Sequence, residues 1–132
     1  MPITVQFKPA AKLIIITHVG SVSDDEFLSS YIAFYDDPRF DNSFHMLVDL
    51  QQAKSSERSQ EALRAMAGLV RERLATKDSH MKVAVFAPGD VSFGMARMFE
   101  AFGDIAPVDV EVFRSADKAL AWLCVPENLM DD

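Results

Sequence analysis

The chain has 132 residues, the length of one domain with a core of its own. Thirteen Lys and Arg against twenty Asp and Glu leave a formal charge of −7. That balance argues against a nucleic-acid partner and against an anionic membrane surface, because both are met with basic residues. Apolar residues make up 49%, with ten Phe and seven Met, so a core, an interface or a ligand pocket must absorb them. Cys124 is the only cysteine, which rules out an internal disulfide and a cysteine-rich zinc site. The start of the chain does not read as a signal peptide, and no early apolar run nears the roughly 18 residues of a membrane span. The expectation is a soluble, cytoplasmic protein without a membrane span.

Residues 3–7 alternate, with Ile3, Val5 and Phe7 on one face, as a half-buried strand does. A turn over residues 8–11 leads to the β-branched run 12–19, which suits a central strand covered on both faces. The two strands predict an antiparallel hairpin, with Gly20 at the end of the second strand. Ser23 and Glu26 form a capping box, and Phe27, Leu28, Tyr31, Ile32, Phe34 and Tyr35 continue at helical spacing until Pro38 stops them. Residues 45–50 are a short buried strand containing Asp49. Ser55 or Ser56 is expected to cap the next helix, whose apolar stripe is Leu63, Met66, Val70 and Leu74. Residues 82–87 form another strand, closed by Pro88-Gly89. Asp90 or Ser92 caps a helix carrying Met95, Met98, Phe99 and Phe102, with Gly103 at its end. Residues 108–113 read as the last strand, and Ser115 caps a last helix reaching about Cys124, before Pro126.

The order β-β-α-β-α-β-α-β-α predicts an α/β fold: a single mixed, mostly parallel sheet covered by helices. Residues 1–126 are expected to form the domain, and residues 127–132 a flexible acidic tail.

Four runs carry a family resemblance. They are Gly20-Ser21-Val22-Ser23-Asp24-Asp25-Glu26-Phe27; Asp37-Pro38-Arg39-Phe40-Asp41 with Leu47-Val48-Asp49-Leu50; Val83-Ala84-Val85-Phe86-Ala87-Pro88 with Phe93-Gly94-Met95-Ala96-Arg97; and Glu111-Val112-Phe113-Arg114 with Ala119-Leu120-Ala121-Trp122-Leu123. In this order the chain resembles the SpoIIAA-like proteins of the STAS superfamily in bacteria, over nearly its whole length. The resemblance implies a STAS-type sheet, an architecture similar to CRAL-TRIO lipid-transfer domains. It also implies a module that binds protein partners, switched in some members by phosphorylation of a serine in an Asp-Ser-Ser-Gly motif. Here the corresponding stretch keeps only Ser55 and Ser56, between Lys54 and Glu57, so these two are the candidate phosphosites.

In open sheets of parallel strands, ligands meet the carboxyl edge. Asp49, Asp90, Ser92, Arg114 and Ser115 are expected to share that edge as a candidate polar site; the plain alternative makes the serines and Asp90 helix caps and Arg114 a solvated ion-pair partner. Phe93, Met95, Met98, Phe99 and Phe102 are either the core face of one helix or a candidate interface or apolar pocket, with Gly94 and Ala96 allowing close approach. His18, His45 and His80 show no metal-ligand spacing, no nucleophile motif occurs, and Cys124 reads as a core residue. Asp49 lacks the acidic pair and the lysine of a phosphoacceptor site. No catalytic residue, metal or cofactor is therefore expected. The leading expectation is a non-catalytic module binding a protein partner or itself. The alternative is a binder of a lipid-like or apolar small molecule in the CRAL-TRIO manner.

Overall fold

A computed structural model of the chain describes residues 3–41, 43–54, 59–74, 81–90, 93–94, 96–97 and 108–126. Five strands form one sheet: β1 (Ile3–Lys8), β2 (Leu13–Gly20), β3 (His45–Ala53), β4 (Lys82–Phe86) and β5 (Asp109–Phe113), side by side in chain order. β1 runs antiparallel to β2, and β2 to β5 are parallel. The helices are α1 (Asp24–Asp36), α2 (Gln60–Leu74) and α3 (Ala116–Leu123). Residues 90, 93, 94, 96 and 97 are also helical, and Phe93 N–H donates to the Gly89 carbonyl at 2.8 Å.

The strand order decides which face each helix covers. Every parallel step moves one strand in the same direction, so connections of one hand put their helices on one face. The buried clusters follow that logic. On the first face Ile14, Ile16, Met46, Val48, Val83 and Val85 meet α1, α2 and Ala96 of the helical segment. On the second face Leu13, Ile15, Leu47, Ala84 and Phe86 meet Ala119, Leu120 and Leu123 of α3.

Local chemistry sets the ends of the elements. Lys12 adopts a left-handed conformation (φ 52°) after a 3₁₀ turn at Pro9–Ala11, and this reverses the chain between β1 and β2. Ser23 caps α1 through a full capping box: its Oγ accepts from Glu26 N–H at 3.1 Å, and Glu26 Oε1 accepts from Ser23 N–H at 3.3 Å. Asp24, Asp25 and Glu26 also put negative charge on the helix's positive end. α1 stops at Asp36, because Asp37 precedes Pro38 and takes an extended conformation.

The Asp37-Pro38-Arg39-Phe40 run is a structural clasp. Asp37 takes the Arg39 backbone N–H at 2.8 Å and its guanidinium at 2.9 Å. Those hydrogen bonds and the Arg39 charge hold the Asp37 carboxyl below the usual carboxylate range. The guanidinium then lies 4.4 Å from the Phe7 ring centroid, and Phe40 stacks edge-on to Phe34 and Tyr35. The end of α1 is thereby fastened over β1.

Two caps differ from the sequence expectation. α2 begins at Gln60, directly after Ser59, whose Oγ accepts the Ala62 N–H at 3.0 Å; the expected caps Ser55 and Ser56 lie outside the described residues. The signal was in the sequence: Ser59 stands three residues before Ala62 at the head of the buried stripe Leu63, Met66, Ala67 and Val70. Cys124 is not a core residue. It is exposed just past α3 in the left-handed conformation (φ 61°), and its N–H bonds back to the Ala121 and Leu120 carbonyls. A helix-ending turn needs that geometry, which usually falls to Gly or Asn.

Candidate functional site

The carboxyl edge of β4 and β5 brings three of the expected residues together. β4 ends at Phe86 and β5 at Phe113, tied by the Ala87 N–H to the Phe113 carbonyl at 2.8 Å. Arg114 therefore leaves β5 directly beside the Pro88-Gly89-Asp90 turn. Its Nη1 donates to Asp90 Oδ1 at 2.7 Å and to the Pro88 carbonyl at 3.4 Å. Its guanidinium lies 4.2 Å from the Phe93 ring centroid. The Arg114 side chain is 49% exposed and the Asp90 side chain 92%. An ion pair this wet contributes between nothing and about 1 kcal/mol. The contact with the Phe93 ring is of the cation–π kind. Among the described residues its hydrogen bonds are made by Nη1, and about half of the side chain meets solvent.

Phe93 itself is half-buried and packs against the core of the first face, where Ala96 is buried. At these two positions the helical segment shows its core side. Ala96 is thus unavailable for close approach by an outside backbone, contrary to the expectation, whereas Gly94 is exposed with open space around it. Met95, Met98, Phe99, Phe102 and Ser92 lie outside the described residues, as do Ser55, Ser56, His80 and residues 127–132.

Ser115 is a helix cap, with Oγ accepting from Lys118 N–H at 3.4 Å. Asp49 stands elsewhere than expected. It lies inside β3, not beyond its end, in register with Thr17 and Phe86, and only 4% exposed. β3 continues past β4 by pairing with β2 across a bulge: between Thr17/Val19 on β2 and Asp49/Gln52 on β3 the register slips by one residue. A bulge leaves a backbone group off the ladder. Asp49 Oδ1 takes the Gln51 N–H at 3.0 Å, and Oδ2 takes the Gln51 side-chain amide at 2.9 Å. The carboxylate is a local brace for the strand. The sequence signal for this is the Asp-x-Gln spacing, which matches an Asx-type hydrogen bond two residues on.

Two histidines are placed. His18, 5% exposed, faces α1; its Nε2 is 3.1 Å from the Tyr31 hydroxyl, and its ring contacts Phe27 and Tyr31. His45 opens β3 at the opposite, amino edge, where its Nδ1 accepts from Lys82 N–H at 3.0 Å. Among the described residues no three His, Cys, Asp or Glu side chains gather as a metal site requires. An apolar recess lined by Ile3, Val5, Ile16, Ser30, Tyr31 and Phe34 leaves no room for a water molecule. No described helix is long and apolar enough to cross a membrane.

No protein-family model and no curated protein matches the sequence. Among solved structures the chain is similar to an uncharacterised protein of the DUF3478 family with a SpoIIAA-like fold, from Shewanella loihica PV-4. The two share 17% identity over 92% of each chain, with a TM-score of 0.58. The mixed five-stranded sheet, the helices distributed over its two faces and this likeness agree: the chain has a SpoIIAA-like α/β fold.

Proposed function

We propose that the protein is a non-catalytic interaction module whose contact surface is the carboxyl edge at Arg114, Asp90 and Phe93. The occupant of that edge is a protein partner or a second copy of the chain. A SpoIIAA-like fold is compatible with a regulatory interaction module. The observation that carries the reading is the Arg114 guanidinium, laid on Phe93, tethered by one nitrogen to Asp90 and half-open to solvent. Arginine and aromatic residues are the side chains that recur where proteins meet. A preset guanidinium can take a partner's carboxylate at little ordering cost, exchanging it for the exposed Asp90.

Light scattering on the wild type and on Arg114→Glu, together with site-specific photo-crosslinking in cells from exposed position 117, which leaves Arg114 in place, tests the reading. Either a doubled mass that Arg114→Glu returns to monomer, or a discrete protein crosslink lost on Arg114→Glu, supports it. A monomer with no crosslink from position 117, but a discrete one from Arg71 on the outer side of α2, would move the contact off this edge and sink the proposal.

A further inference from the structure

Lys82 occupies a junction on the second face. Its Nζ donates to the Trp122 carbonyl at 3.2 Å and lies 5.3 Å from the Trp122 ring centroid. Trp122 is in the last turn of α3, where carbonyls lack partners within the helix and attract a cation. Lys82 therefore pins the carboxyl end of the one helix described on this face. The backbone of the same residue is held by His45, whose Nδ1 accepts its N–H at 3.0 Å. That bond assigns the ring proton to Nε2 and requires a neutral imidazole.

We propose that His45 is a proton-sensitive latch on α3. Neutral His45 fixes the start of β4 and leaves Lys82 free to hold Trp122. Protonated His45 presents a donor where an acceptor is needed and sets a second cation beside Lys82. The Lys82–Trp122 tie then loosens, and the end of α3 lifts from the patch formed by Leu13, Ile15, Leu47, Ala84 and Phe86.

The surroundings favour the neutral form. Partial burial and the neighbouring Lys82 ammonium hold the imidazole below the usual histidine range. Of the described charged residues, Lys82 on β4 acts on it directly; Lys12 precedes β2 beside its backbone, Asp41 stands in the preceding loop, and Asp109 lies one strand further, in register with Lys82 on β5. The Lys12 carbonyl accepts the His45 N–H at 3.0 Å. From α3 the approach is made by the Trp122 carbonyl and ring. Because folding depresses this pKa, the stabilisation is complete above the unfolded value of about 6.5 and is lost as pH falls through the folded one.

The test is amide hydrogen exchange by NMR on the intact chain, from about pH 7.5 to about pH 5, beside the titration of the His45 ring signals. Protection of Leu123 and Cys124, corrected for intrinsic rates, should fall about fivefold in step with His45. Protection in α1 should hold. His45→Asn supplies an oxygen where Nδ1 stands and does not titrate, so its α3 protection should be flat. Constant protection through the wild-type His45 titration overturns the latch. So does an equal fall in α1 and α3, which is general acid loosening. If His45→Asn fails to fold, the wild-type comparison still decides.

Discussion

The two faces of the sheet solve the same problem with different materials. The first face spends rings. Phe7, Phe27, Tyr31, Phe34, Tyr35 and Phe40 form a continuous aromatic chain with centroid spacings between 4.9 and 6.5 Å. The second face has mostly aliphatic residues, with Phe86 and the Phe113–Trp122 ring pair beside them, under one described helix of eight residues, and polar groups interrupt it. The lesson is about satisfaction. Each face settles its buried polar groups locally: on the first, His18 Nε2 lies 3.1 Å from the Tyr31 hydroxyl, and on the second Asp49 is met by Gln51 and the Lys82 N–H by His45.

The comparison breaks first at the most deeply buried of the described rings. Phe34 is 3% exposed and touches four other rings. Phe34→Ala should cost about 3–5 kcal/mol in urea unfolding. Alkali attacks the same face. Both tyrosines of the chain, Tyr31 and Tyr35, are buried, and burial pushes their phenols well above the ordinary range. Folding raises these pKa values, so stability is intact below about pH 10 and falls above it by about 1.4 kcal/mol per pH unit for each tyrosine. Tyrosinate absorbance should rise only together with loss of helical circular dichroism. A tyrosinate signal in the folded protein would show the face to be open.

On the second face, Leu120 is 1% exposed, and Leu120→Ala should cost about 2–4 kcal/mol. A cost near zero would mean that α3 adds little to the sheet. Asp49→Ala should lose about 1–3 kcal/mol by orphaning the Gln51 N–H, and Asp49→Asn less, since an acceptor oxygen remains. The smallest change runs the other way. Cys124→Gly relieves the left-handed strain and should gain about 0.5–1 kcal/mol.

Elements with strong periodicity or explicit caps were legible from sequence. The five strands, the α1 capping box and the Ser115 cap follow directly from alternation and spacing. The length of β3 was hidden, because Gln51 and Gln52 lack apolar alternation and are kept in the strand by pairing across a bulge. The side of the sheet on which α3 lies was equally hidden, since it follows from strand order and not from local pattern. At the candidate site the meeting of Asp90 and Arg114 was foreseeable from two strand ends. The stacking on Phe93 was not, because it depends on one turn of helix bringing the ring back to β5. Cys124 misled for a simple reason: burial statistics describe residue types, while a helix end demands a backbone geometry.

β5 closes the sheet on one side, and Asp109 and Glu111 are both exposed along it. An outermost strand offers a row of unpaired backbone groups on which further chains can grow. Two such strands approaching one another would set carboxylates against carboxylates across the new ladder, a repulsive pairing. The outermost strand thus carries its own deterrent to aggregation. Mass-action assembly of this chain is steered away from runaway stacking along β5.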